Sequence, residues 1–176
     1  MLLSAPPAAT RLYIHATMSK GQVTIKLSVP ATGYQRRMFF NRFALQWIDG
    51  HALAYFALVD DSGILRDVYA CMLSRQTLKE SKDSLGKYLG RIGVPKGAAA
   101  PWSPPSQPTT TDLATVVNMG CTEDAEIVFG TFAVGPAIQQ VKNLDKEIRV
   151  DAVACLRCDL ETQRQFLVAL YAKDKE

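Results

Sequence analysis

The chain has 176 residues and a formal net charge of +3, and 48% of its residues are apolar against 21% charged. This balance is typical of a folded domain and excludes a wholly disordered protein. No apolar run is long enough for a membrane-spanning helix, and the charge is too small to indicate a nucleic-acid or membrane partner by itself.

The first residues predict a flexible tail. Residues 1–9 begin apolar, but no positive residues precede them and two prolines interrupt them, which is unlike a cleaved export signal. A strand-like pattern begins after Met18, so residues 1–17 are assigned to a flexible tail. Without an export signal, reduced cysteines and a cytoplasmic location are expected.

Residues 18–93 are predicted to form an antiparallel meander that runs into a helix. Val23–Val29 alternates apolar and polar residues, as a half-buried strand does. Further strand-like runs are separated by Asp49-Gly50 and by Asp60–Gly63, which favour tight turns. These runs are Met38–Ile48, Ala52–Val59 and Ile64–Leu73.

One long amphipathic helix is predicted over Thr77–Gly90. Ser74 and Thr77 are both candidate N-caps. Leucines recur at helical spacing on one face, so this face is expected to cover a sheet. The opposite face is interpreted as a solvated surface of mixed charge, formed by Lys79, Glu80, Lys82, Asp83 and Lys87.

Residues 94–111 are predicted to be a semi-extended linker, because five of the nine prolines fall there and neither a helix nor a central strand continues through them. A proline-rich ligand for an aromatic groove is the less favoured interpretation, since flanking arginines are missing.

Residues 112–176 are predicted to be a second, β-rich half that completes the same domain. Ala125–Val134 and Ile148–Arg157 have strand patterns. Phe166–Ala172 is a run of seven apolar residues. A buried strand is favoured there, and a helix over residues 160–174 capped by Asp159 is the alternative.

An internal duplication is weakly indicated. Asp67–Met72 can be laid over Asp151–Leu156 with three identities in six. A rival register sets Leu58, Asp61 and Arg66 against Leu156, Asp159 and Arg164. The two registers are incompatible, so shared strand composition is the preferred explanation.

The sharpest chemical motif is the pair Cys155 and Cys158. Two thiols at this spacing form a redox pair when a helix follows, because a helix N-terminus lowers the thiol pKa. Packing of both cysteines as small apolar groups is the favoured interpretation. The two histidines, His15 and His51, and the remote Cys71 and Cys121 do not complete a zinc site, so no metal and no cofactor are predicted.

Arg36, Arg37 and Arg42 interleave with aromatic residues, a pattern found on platforms for single-stranded nucleic acid. Strand alternation leaves neither face cleanly basic, so nucleic-acid binding is the weaker hypothesis.

The sequence therefore predicts an α+β fold, with one antiparallel sheet of about six strands and one long helix on one face. A homodimer is expected to bury the other face. No converging catalytic residues are found, so the leading hypothesis is a non-catalytic binding or assembly module with a protein partner. A thiol-dependent redox protein and a weak nucleic-acid binder are the alternatives, and membrane binding is not expected.

Overall fold

The computed structural model describes residues 10–18, 21–29, 33–106, 111–121, 124–131 and 148–172. In chain order the strands and helices are β1 Thr10–Met18, β2 Gly21–Val29, β3 Arg36–Phe39, β4 Arg42–Ile48, β5 His51–Val59, β6 Leu65–Leu73, α1 Arg75–Ile92, β7 Asp112–Ala114, β8 Val116–Cys121, β9 Ala125–Thr131, β10 Ile148–Arg149, β11 Asp151–Cys158 and α2 Leu160–Ala172.

Two four-stranded mixed sheets and two helices form the body of the fold. Sheet I has the order β4-β5-β6-β7, and sheet II has the order β3-β11-β9-β8. In sheet I, β7 pairs with β6 in parallel, and in sheet II, β3 pairs with β11 in parallel. The other pairs in these two sheets are antiparallel. A third small sheet joins the β1-β2 hairpin to β10, so residues 10–17 of the expected tail lie in a strand.

The prediction of one antiparallel sheet with one helix is therefore right only in its general α+β class. The run Met38–Ile48 is divided by a bend at Phe40 and Asn41, so its two parts belong to different sheets. The Asn41 side chain holds the bend, because it accepts the Val59 amide at 2.9 Å and donates to the Val59 carbonyl at 2.7 Å. Strands that switch sheets in this way make the corners of a two-sheet core.

The strand predicted over Phe166–Ala172 is wrong, because this segment is helical. Asp159 caps α2 by accepting the Thr162 amide at 2.7 Å. Phe166, Leu167 and Leu170 are fully buried at helical spacing. The apolar run thus fills one side of a helix that packs on the core, and its length alone did not distinguish the two structures.

The chain contains two copies of one unit. The first copy is β3-β4-β5-β6-α1 and the second is β7-β8-β9-β11-α2. Each copy bends at the same point: the Asn41 amide donates to the Ala57 carbonyl, the Thr115 amide donates to the Gly130 carbonyl, and both distances are 3.0 Å. Each copy also lends its first strand to the other copy's sheet, because β3 pairs with β11 and β7 pairs with β6.

The helix caps fix the register of the two copies. The Ser74 hydroxyl accepts the Thr77 amide at 3.0 Å, as Asp159 accepts that of Thr162. Ser74 therefore corresponds to Asp159, and counting back along the strands places Cys71 on Leu156. The first register suggested by the sequence is wrong by one residue, an error that moves every side chain to the opposite face of its strand. The second register is also wrong.

The core lies between the two sheets and the helices, and its centre is a cluster of aromatic rings. The Phe56 ring lies 5.0 Å from Phe40, 5.1 Å from Phe166 and 5.6 Å from Phe129 between centroids. Phe56 and Phe129 occupy equivalent positions, because they pair with Phe43 and Val117 at the same step of each copy. The two copies therefore share one core.

The proline-rich linker lies against the outer face of sheet I. Residues 94–106 contain no helix or strand, and Trp102 packs on Leu53, Tyr55 and Ala70. Sheet II and the linker cover the sheet faces that the sequence analysis had expected a second copy of the chain to bury. Within the described residues, no helix is both long and apolar enough to cross a bilayer.

Candidate functional site

The structure does not bring Cys155 and Cys158 together. Leu156 and Cys158 point into the core, whereas Cys155 points to the other side of β11. Two cysteines on opposite faces of one strand do not meet disulfide geometry without a change of backbone. All four thiols are free.

The buried thiols are also poor nucleophiles. Burial raises the pKa of Cys155 and of Cys158, and burial raises the pKa of Cys71 to about 12. A helix does follow Cys158, as the redox hypothesis required, but its N-terminus is capped by Asp159. The thiolate forms that redox chemistry needs are therefore disfavoured. Cys121 is the exposed one.

The three candidate arginines are engaged separately. Arg36 forms an ion pair with Asp67. The Arg37 guanidinium lies 5.6 Å above the Tyr34 ring. Arg42 lies beyond the bend and donates to a main-chain carbonyl at 2.8 Å. They do not converge on one surface, so the nucleic-acid hypothesis gains no support from their placement.

The histidines and cysteines do not form a metal centre in the part of the chain that the structure describes. His51 contacts the Asp49 carbonyl at 3.2 Å beside a turn. His15 lies in β1, remote in sequence from the other candidate ligands.

One candidate site is a cleft between the start of α1, the β4-β5 turn and the end of α2. Its volume is about 490 Å³, which is within the usual range for ligand sites. We call it the basic cleft, and it is lined by Trp47, Gly50, Arg75, Leu78, Lys79, Lys82, Leu170 and Tyr171.

One wall of the basic cleft is a stripe of cations. Arg75, Lys79 and Lys82 follow at steps of four and three residues along α1, so all three project from one side of the helix. Among the described residues, no carboxylate forms an ion pair with Arg75 or Lys79. The wall therefore presents the positive charges of Arg75 and Lys79 to the cleft.

The β4-β5 turn positions the first of these cations. Asp49 and Gly50 both have positive φ, 49° and 77°, as a tight hairpin turn requires. Arg75 donates to the Asp49 carbonyl at 2.8 Å. A Cβ at residue 50 would overlap the Arg75 guanidinium, so glycine leaves room for this side chain beside the turn.

The floor of the basic cleft is apolar and aromatic. Leu78 and Leu170 are buried, and Trp47 packs against the core with part of its surface open. Tyr171 is held by a hydrogen bond of 3.0 Å between its hydroxyl and that of Ser81. The cleft thus combines a firm apolar floor with a basic wall.

The equivalent end of the second copy is closed. Gln163, the counterpart of Leu78, is fully buried; its amide donates to the Gly120 and Glu126 carbonyls, and its carbonyl accepts from Tyr88 at 2.9 Å. Arg164, the counterpart of Lys79, donates to the Ile92 carbonyl at 2.8 Å. Leu160 and Leu167 stand where Arg75 and Lys82 stand in the first copy.

Sequence analysis missed the basic cleft. Lys79 and Lys82 were interpreted as part of a solvated helix face, and Trp47 as part of a strand. The available signal was the spacing of the cations on α1, since Arg75, Lys79 and Lys82 recur at steps of four and three residues and therefore share one face.

Comparison with protein-family models, with curated proteins and with solved structures finds no significant match to this chain.

Proposed function

We propose that the protein is a non-catalytic recognition module that binds an anionic ligand in the basic cleft. The observation that carries the proposal is the stripe of Arg75, Lys79 and Lys82 above an apolar floor. Cations on one wall attract the charge of a ligand, and the floor removes its apolar part from water.

The stripe is costly for the fold, which supports a functional role. The first turn of α1 contains no acidic residue and begins with Arg75. The N-terminus of a helix carries partial positive charge, so a cation there is unfavourable by a few tenths of a kcal/mol to about 1 kcal/mol. Arg75 and Lys79 also repel each other across one turn. A bound anion relieves both effects.

The arrangement supports binding rather than a reaction. The cleft offers cations, an indole, a phenol held by Ser81 and aliphatic side chains, and within the described residues its lining includes no histidine, cysteine or carboxylate. General acid–base and nucleophilic catalysis draw mainly on these missing types.

Fluorescence of Trp47 tests the proposal. The chain has two tryptophans, so a Trp102→Phe variant reports on the cleft alone. Inorganic tripolyphosphate serves as the probe. We expect a saturable change in emission that weakens as sodium chloride is raised, and roughly tenfold weaker binding when Lys79→Gln and Lys82→Gln are combined.

The matched control removes the same charge elsewhere. Lys87 and Lys96 are exposed and do not line the cleft, so Lys87→Gln combined with Lys96→Gln is expected to leave the affinity within about twofold. Equal losses in the two double variants would show that binding follows net charge and would overturn the proposal.

The homodimer and the cytoplasmic location remain predictions. The second sheet layer removes the argument that first suggested a dimer, so light scattering of the purified chain at several concentrations is the direct check. A dimer that dissociates on dilution without effect on tripolyphosphate binding would place any second copy away from the basic cleft.

A further inference from the structure

Building on the proposed function, we infer that the ligand of the basic cleft is an acidic peptide segment of a protein partner. The segment carries two carboxylates that meet the cation stripe and one large apolar side chain that meets the floor. The juxtaposition of Lys79 with the Trp47 and Leu170 surface carries this inference.

The first argument is the hydrogen-bonding character of the lining. Arg75, Lys79, Lys82 and the Trp47 indole only donate hydrogen bonds. Among the described residues, no side-chain carboxylate or carboxamide lines the cleft to accept from a ligand. A ligand with acceptors and no essential donors fits this lining, and carboxylates accept hydrogen bonds only.

The second argument is spacing. Arg75 and Lys79 are separated by about 6 Å along the axis of α1, and Lys79 and Lys82 by about 4.5 Å. Side chains two residues apart on an extended peptide are separated by about 6.6 Å. Two carboxylates at this spacing therefore fall in register with Arg75 and Lys79.

The third argument is the floor. Leu78 and Leu170 are more than nine-tenths buried, and the Trp47 ring extends this apolar surface to the mouth of the cleft. A fully hydrated anion leaves that surface in contact with water. An apolar side chain beside the carboxylates covers it, and such buried anchors dominate the energetics of peptide recognition.

The fourth argument separates the peptide from nucleic acid. A polynucleotide needs a long basic surface, and the chain carries a net charge of only +3 with a pI near 8.7. The other arginine group does not form one basic surface. Its members, Arg36, Arg37 and Arg42, contact Asp67, the Tyr34 ring and a main-chain carbonyl, respectively. The cation stripe is thus a short site that matches the two carboxylates of one peptide segment.

The test uses four peptides and the full chain with Trp102→Phe. The first peptide is acetyl-Asp-Gly-Asp-Gly-Phe-Gly-amide, in which both Asp and the Phe lie on one side of an extended chain, and the other three replace both Asp by Asn, replace Phe by Gly, or make the two Asp adjacent. We expect the first to change Trp47 emission with the highest affinity. The Asn and Gly peptides are expected to bind at least about tenfold more weakly, and the adjacent-Asp peptide about threefold more weakly.

An eight-nucleotide oligothymidylate and tripolyphosphate are the comparison ligands. Tighter binding of the oligonucleotide than of the first peptide, or equal affinities for the Asp and Asn peptides, would refute the peptide assignment while the proposed function stands. Failure of every anion, tripolyphosphate included, would refute the proposed function itself. Loss of peptide binding in the Lys79→Gln and Lys82→Gln double variant, with retention in the Lys87→Gln and Lys96→Gln variant, is the supporting result.

Discussion

The two ends of this molecule are built from equivalent elements and differ in what those elements do. At one end Lys79 and Leu78 line an open cleft, and at the other Arg164 and Gln163 tie the helices and strands together. Equivalent elements therefore carry side chains with different contacts. One end is tied together by hydrogen bonds, and the other is open as a cleft.

The largest expected effect concerns the shared core. Phe56 lies within 6.4 Å of four rings, those of Phe40, Tyr69, Phe129 and Phe166, between centroids. Phe56→Ala is expected to lower the free energy of unfolding by about 4 kcal/mol. Urea denaturation measures it.

Phe129→Ala is the comparison variant for this prediction. Phe129 is equally buried but contacts one ring, that of Phe56, so its loss is expected to cost about 3 kcal/mol. Equal or reversed costs would show that the two copies contribute evenly to the core.

The next effect concerns the closed end. Gln163→Leu removes three hydrogen bonds from a fully buried amide and leaves the Gly120 and Glu126 carbonyls without it. We expect a loss of about 2 kcal/mol in unfolding free energy. Gln165→Leu is the control, because the Gln165 amide donates only to exposed linker carbonyls, those of Gly97 and Ala98. Its loss is expected to lower the unfolding free energy by less than about 0.5 kcal/mol.

The pH dependence of unfolding tests a difference between the two copies, because the first copy has a titratable Cys71 where the second has Leu156. Burial raises the pKa of Cys71 from its ordinary value of 9.0 to about 12. Between these values the unfolded chain loses the thiol proton and the folded chain keeps it. The stabilisation is therefore complete below pH 9 and falls by up to about 1.4 kcal/mol per pH unit as the pH rises towards 12.

Cys71→Ala is expected to be less steeply destabilised by alkali than the wild type over this interval. Denaturant midpoints at several pH values measure the difference between the two curves. Parallel curves would mean that the folded protein ionises Cys71 as readily as the unfolded chain does.

The smallest effects compare Arg164 with its counterpart Lys79. Arg164 donates to the Ile92 carbonyl and pairs with Glu161 at 3.5 Å, so Arg164→Ala is expected to cost about 1 kcal/mol. Lys79→Ala removes repulsion from Arg75 and is expected to be neutral or to stabilise by about 0.3 kcal/mol. Thermal unfolding measures both changes, and a cost at Lys79 as large as at Arg164 would remove the contrast between the two ends.

The parts of the fold that the sequence predicted are those set by neighbours in the chain. The Asp49-Gly50 turn, the strands on either side of it and the leucine stripe of α1 all follow from short-range patterns. The helical state of Phe166–Ala172 was decided by the Asp159 cap and the shape of the core. Seven apolar residues in a row carry neither signal.

Strand exchange and the basic cleft depend on distant residues. β3 and β7 are four and three residues long, and their partners lie in the other copy of the unit. Tyr171 meets α1 only after both copies have packed, and Trp47 lies in a strand that is distant from α1 in the sequence. The expectation that the charged face of α1 is merely solvated was reasonable for an isolated helix, since only the packed neighbours turn it into a wall.

The exchange of β3 and β7 bears on how a chain of this kind arises. A single copy of the unit leaves one edge of its sheet unpaired and carries one strand with no partner of its own. Two identical short chains satisfy each other's needs through the same pairings, as a symmetric pair. End-to-end fusion of their genes preserves every such pairing and lets the two copies diverge, as Leu78 and Gln163 differ at equivalent positions.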